Sequence, residues 1–317
     1  MPPNLRGALL ALAAFFLFSA HDVLVKVLGA TYAPVQVVFF SVLFSFPLAT
    51  LMAVGDRADA NLRPNRPGWM ALRMGATVIT GLAAFTAFST LPLAQVYAIL
   101  FATPLLITVL SIPVLGEVVR LRRWAAVVTG LGGVLIVLRP GAAPLEPGHL
   151  AALTAATGAA VAAIVARKIG REERPVVMML FPLFANIAVM GALLPLVYRP
   201  MPGADLAAQA AIAALAFAAS LLIVLAYRSS EAVTIAPMQY SQIVWASLYG
   251  SLFFDERLDA WTVTGAAVII ASGLYILLRE GRGSTSAHRP VLRTRSRHET
   301  GTFPRIGALL RGERDDR

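Results

Sequence analysis

The chain is 317 residues long, 58% hydrophobic and only 14% charged, whereas a soluble domain carries about 25% charged residues. That is too little charge to cover a water-facing surface, so an ordinary soluble protein is excluded. The net charge of +10 does not imply nucleic acid as a partner, because the arginines fall between apolar runs and in the C-terminal tail, where the rule for basic residues flanking membrane helices explains them. The absence of cysteine excludes disulfides, thiolate metal sites and thiol nucleophiles.

In chain order, apolar segments run over 7–28, 34–54, 69–90, 94–115, 121–139, 148–168, 176–197, 206–227, 233–254 and 261–279. Each is close to the ~20 residues that a spanning helix needs. None alternates polar and apolar residues with the period of two that a β-barrel requires. Pro34, Pro67-Gly68, Pro92, Pro140-Gly141, Pro147-Gly148, Pro175 and Pro202-Gly203 lie between the segments, as helix breakers should. The expected fold is an all-α integral membrane protein with ten transmembrane helices, in contact with membrane lipids.

Basic residues set the orientation. With the N-terminus inside, the cytoplasmic connections hold twelve: Arg57, Arg63, Arg66, Arg73, Arg120, Arg122, Arg123, Arg167, Lys168, Arg171, Arg174 and Arg228. The outer connections hold four: Lys26, Arg139, Arg199 and Arg257. A multi-pass protein of the cytoplasmic (inner) membrane follows, with both termini cytoplasmic. Residues 281–317, with nine arginines and four acids, read as a disordered basic cytoplasmic tail.

The two halves repeat. An offset of 141 aligns 7-GALLALAAFFLFSAHDVLVKVLG-29 with 148-GHLAALTAATGAAVAAIVARKIG-170, superposing Gly7 on Gly148, Lys26 on Arg167 and Gly29 on Gly170. Residues 133-GVLIVLRPG-141 match 273-GLYILLREG-281 at 140, and Glu117 matches Glu256 at 139. Five spans per half is an odd number, so the second half starts on the opposite face and the halves form an inverted repeat, 1–141 and 142–280. Inverted repeats are a recurring architecture of secondary transporters, with the substrate site near the midplane. The repeat also argues against a cleaved signal peptide ending near Phe18-Ser19-Ala20, since 7–29 is the counterpart of an internal span.

Ten spans in two five-helix repeats, Gly-Glu at 116–117 and Asp-Glu at 255–256 closing the fourth span of each half, and the Gly-rich 130-GLGGVLIV-137 together resemble EamA-type members of the drug/metabolite transporter superfamily. The resemblance covers about 7–280. It implies a central cavity lined by helices of both halves, the fourth and ninth prominent. The chain departs from the pattern at Ala271-Ser272-Gly273, where looser packing is expected than at Gly132-Gly133.

His21, Asp22 and Lys26 lie inside the first span, where an isolated charge costs about 3 kcal/mol or more. Such groups are site candidates by default. Asp22 and Lys26, four apart on one helix face, can pair. Lys26, near the span end, is expected to reach the headgroups as an anchor. His21 and Asp22 are expected to bind substrate and are the candidate proton carriers. Met238, Gln242, Trp245 and Tyr249 form a stripe on one face of the ninth span, and Tyr97, Phe101 and Pro104 a row in the fourth. Tyr97, Phe101, Gln242, Trp245 and Tyr249 suit an apolar site with a few placed polar groups. Glu117 and Glu256 are expected in structural or gating roles, as caps of the following helices. Pro104, Pro182 and Pro237 are expected to open the helical ladder, with Pro104 structural.

The expected function is secondary transport of a small organic molecule, such as an amino acid, a nucleoside-like metabolite or a vitamin such as riboflavin, with no cofactor. A membrane-embedded enzyme and a non-transporting scaffold are the alternatives. Neither HExxH, GxSxG nor paired intramembrane carboxylates occur, and no GxxxxGK[ST] supports ATP-driven pumping.

Overall fold

A computed structural model describes residues 3–54, 63–119, 121–141, 145–170, 172–230 and 232–281. The expected tail after Gly281, together with Arg57, Arg120 and Arg171 of the orientation count, lies outside the described residues. The regular elements are helices: α1 (Pro3–Gly29), α2 (Pro34–Val54), α3 (Pro67–Thr90), α4 (Leu93–Leu100), α5 (Thr103–Leu115), α6 (Leu121–Leu138), α7 (Pro147–Ile169), α8 (Pro175–Leu193), α9 (Gly203–Ser229), α10 (Ala232–Ile235), α11 (Ser241–Phe254) and α12 (Ala260–Gly281). Short 3₁₀ turns cover Leu194–Leu196 and Ala236–Tyr240. Pro34, Pro67, Pro147 and Pro175 each stand at a first helical position. There the missing N–H costs nothing and the fixed φ is already helical.

Among the described residues, seven helical segments are long and apolar enough to cross a membrane: Leu5–Gly29, Pro67–Thr90, Leu93–Leu115, Leu121–Leu138, Pro147–Ile169, Val176–Leu196 and Gly203–Ser229. Their exposed side chains include Ile79, Val128, Leu135 and Leu150. An apolar outer coat of this kind suits lipid, and the protein is a helical membrane protein.

The helices pack in pairs drawn from the two halves of the sequence. α1 packs on α9 and α3 on α7; α5 lies against α7 and α11 against α1; α6 pairs with α12 and α2 with α8. Exchanging the halves turns each of these pairs into another or into itself. The contact faces use small residues, Ala11 and Ala14 against Ala216 and Ala219, which let helices approach closely without a hydrophobic driving force. α6 and α12 approach closely backbone to backbone. A Cβ on Gly133 would meet the Gly265 carbonyl oxygen at 2.8 Å, and one on Gly265 would meet that of Gly133 at 2.6 Å. The expected looseness at 271–273 is not found, because the Ser272 hydroxyl donates to the carbonyl of Ala126 on α6 and is itself buried.

The segments 93–115 and 232–254 are each broken near the middle, at Phe101-Ala102 and over Ala236–Tyr240. Pro104 opens α5, Pro237 sits in the 3₁₀ turn, and Pro182 lies inside α8, where Asn186 Nδ2 donates to its carbonyl at 2.9 Å. The breaks correspond in the two halves: an offset of 139 carries Phe101 onto Tyr240. Those two rings pack edge to face, 5.0 Å apart at 83°.

Candidate functional site

The breaks bring four buried polar side chains into one chain of hydrogen bonds. His21 Nδ1 lies 2.7 Å from Asp22 Oδ1 on α1. The Tyr97 hydroxyl of α4 donates to Asp22 Oδ2. Gln242 Nε2, at the start of α11, donates to the Tyr97 oxygen at 3.2 Å. Exposure is 3% or less for all four. A polar group buried this deeply is tolerated only when bonded, and the chain satisfies Asp22 through residues far apart in sequence. Around it lie aromatic rings: Phe85 edge-on to His21, Phe88 against Tyr97, and Phe101 against Tyr97 at 6.1 Å.

On α1 and α11 the buried polar atoms without a hydrogen-bond partner among the described residues include Gln242 Oε1, Trp245 Nε1 and the hydroxyls of Ser19 and Ser241. Each buried orphan costs about 1–3 kcal/mol. They include one pure acceptor and one pure donor. Among the described residues no group of three His, Asp or Glu side chains could hold a metal ion.

The structure thus joins His21, Asp22, Tyr97 and Gln242 by hydrogen bonds and adds Phe101 by ring contact. Trp245 and Tyr249 share the α11 stripe but pack on Phe16, at 5.3 Å and 5.6 Å, and Tyr249 also meets Phe253 at 6.1 Å. Sequence reasoning missed Phe16, whose one signal is its place on the first span, six residues before Asp22. It also missed Arg73, assigned to a connection but buried on α3, with Nη1 donating to the Met178 carbonyl at 2.6 Å.

Two expectations are corrected. Lys26 neither pairs with Asp22 nor reaches freely for the headgroups. Its ammonium sits 2.7 Å from Glu256 Oε1 and donates to the Leu91 carbonyl at 2.5 Å. Among the described residues, Glu117 and Glu256 bond elsewhere than to the helices that follow them. Glu117 accepts from Arg167 at the end of α7, and Glu256 Oε2 accepts the backbone N–H of Leu93, first residue of α4, at 2.9 Å. The physical reason is burial. All four ion-paired side chains are only 14–15% exposed, where an opposite charge is worth more than it is in open water.

Helices wrapped in apolar side chains, packed around a buried polar chain, are the architecture of a membrane transporter. The chain belongs to the EamA-like transporter family, whose profile matches residues 5–139 and again 146–278. Similar proteins include an S-adenosylmethionine uptake transporter of Rickettsia prowazekii (strain Madrid E), 26% identical over 286 residues, covering 90% of this chain and 96% of that protein. A riboflavin transporter of Rhizobium johnstonii is 26% identical over 245 residues, 77% of this chain and 79% of its own. The pseudopaline exporter CntI of Pseudomonas aeruginosa is 26% identical over 275 residues, 84% and 94%. A solved crystal structure superposes with a TM-score of 0.56 at 20% identity, over 87% of this chain and 99% of its own, a likeness of fold.

Proposed function

We propose that the protein is a secondary transporter that carries a small organic metabolite across the cytoplasmic membrane by alternating access. Ten spans form two inverted five-helix repeats, 1–141 and 142–280, with both termini inside. The substrate site lies between them at the midplane. The observation that carries this reading is the bond from Gln242 to Tyr97, which ties the second half to the first in a chain that runs through the buried Asp22 carboxylate to His21. A site at the boundary between repeats is where a rocking motion changes access most.

The same site supports a substrate class. An open carbonyl oxygen on Gln242 and an open indole N–H on Trp245 suit the donor and acceptor edges of a planar heterocycle, and Phe101, Tyr97, Tyr249 and Phe16 supply apolar area. S-adenosylmethionine and riboflavin, named for two relatives, both join a nitrogen heterocycle to a polar chain. His21 and Asp22 are the groups through which protons would couple to transport. Movement without chemical change separates this reading from a membrane enzyme. Protein purified into liposomes and offered S-adenosylmethionine and riboflavin within a metabolite panel should accumulate at least one solute unaltered, by mass spectrometry. Conversion of a solute, or no flux above empty liposomes for any of the panel, would contradict the proposal.

A further inference from the structure

Two ion pairs join the halves crosswise. Lys26, near the end of α1, pairs with Glu256 beyond α11, and Arg167, near the end of α7, pairs with Glu117 beyond α5. Offsets of 141 and 139 carry Lys26 onto Arg167 and Glu117 onto Glu256. Each pair is therefore the other with the halves exchanged. The backbone repeats as well. Each glutamate follows a residue in the left-handed region, Gly116 at φ 71° and Asp255 at φ 53°. Each donates its N–H back to the last helical turn, Glu117 to Ser111 at 3.3 Å and Glu256 to Gly250 at 3.0 Å. The same hook presents an acid to the basic end of the other half's first helix.

The pairs stand at opposite ends of one segment. Glu256 holds the N–H of Leu93, where α4 begins, and Lys26 holds the carbonyl of Leu91. At the far end Glu117 follows α5, and Lys168, beside Arg167, donates to the Val114 carbonyl at 2.6 Å. The 23 residues of Leu93–Leu115 separate the two ends by roughly 30 Å. The buried chain of His21, Asp22, Tyr97 and Gln242 is reached between them, through Tyr97 on α4.

We infer that Lys26–Glu256 and Arg167–Glu117 are the outer and inner latches of the transport path, and that they open one at a time. This rests on the alternating-access reading above. Halves that rock about a central contact widen one end as they narrow the other, so one pair must part while its counterpart closes. Both are formed here, which describes a path shut at both ends. Parting a pair in an opening mouth returns both charges to water, whereas the closed end keeps its charges matched. Similar latches at the two ends keep the two open states close in energy, as a carrier working in cycles requires.

The chain has no cysteine, so single-cysteine reporters need no background removed. Ala94→Cys sits beside Leu93 at the outer latch and Ser111→Cys at the hook of the inner latch, and both positions are buried. A membrane-impermeant maleimide is applied to right-side-out and inside-out vesicles. Glu256→Gln should raise labelling of Ala94→Cys about fivefold or more and lower that of Ser111→Cys, and Glu117→Gln should do the reverse. If Glu256→Gln does not reach the membrane, Lys26→Gln opens the same latch from its other partner. The double variant Lys26→Glu, Glu256→Lys should return labelling toward wild type. Labelling that moves in the same direction at both reporters, or does not move, overturns the inference. The readout needs no substrate, so a chain that carries no solute yet shows reciprocal labelling would refute the transport reading and leave the latches standing.

Discussion

Tyr97→Phe removes one oxygen and tests whether the buried chain is a working unit. That oxygen donates to Asp22 and accepts from Gln242, so two hydrogen bonds vanish with it. Its side chain is 1% exposed, and water cannot replace it without entering the core. A bond to a charged group is worth about 1.5–3 kcal/mol and a neutral one about 1 kcal/mol. The Gln242 carboxamide, whose Oε1 already lacks a partner among the described residues, loses the bond made by its Nε2. The expected loss of stability is therefore about 3 kcal/mol, or a fall in melting temperature of about 5 °C or more. Gln242→Leu removes the stranded amide, so the double variant should melt higher than the two single losses predict, by about 1 kcal/mol. Thermal unfolding of the four proteins in one detergent, followed by size-exclusion fluorescence, measures this. A Tyr97→Phe protein within 0.5 kcal/mol of wild type, or strictly additive losses, would refute the reasoning, with 0.5 kcal/mol the ordinary scatter of additivity.

Trp245→Ala should raise the apparent KM for the substrate with membrane abundance near normal; a fall in abundance with KM unchanged in the surviving protein would assign the ring to packing against Phe16 instead. Asp22→Asn and His21→Ala should each lower transport and flatten its dependence between pH 5 and 8, as followed by initial uptake rates at stepped pH. Gly265→Leu should destabilise by about 1–3 kcal/mol or more, because even its Cβ would press on the Gly133 carbonyl, and a thermal melt reads the loss directly.

Much of the fold was legible because membrane helices are written in composition. Long charge-free runs, prolines at their first positions and the 141-residue offset located the helices within a few residues. The breaks at Phe101 and Ala236–Tyr240 were half legible: Pro104 and Pro237 signal a weak ladder but not which way the freed ends turn. The site was legible by type and not by partner. Asp22 stands out because carboxylates do not belong in apolar runs, yet its bond to Tyr97 spans 75 residues and that of Tyr97 to Gln242 spans 145. No local pattern encodes such distances. For Lys26 the nearest acid in sequence, Asp22, was the wrong partner. The better signal lay in the repeat, which places a base at 26 and 167 and an acid at 117 and 256. A charge that recurs at the same place in both halves of the sequence points to a counterpart in the other half, and that rule pairs all four.

Counterflow tests the central claim most directly. Liposomes holding the purified protein are preloaded with an unlabelled solute identified by the panel, then given a trace of the labelled form outside. A carrier that exposes one site alternately to each face returns faster when loaded, so uptake of label should saturate and should accelerate with preloading. It should slow in Asp22→Asn. Label entry that rises linearly with concentration and ignores the internal solute would contradict alternating access around this site.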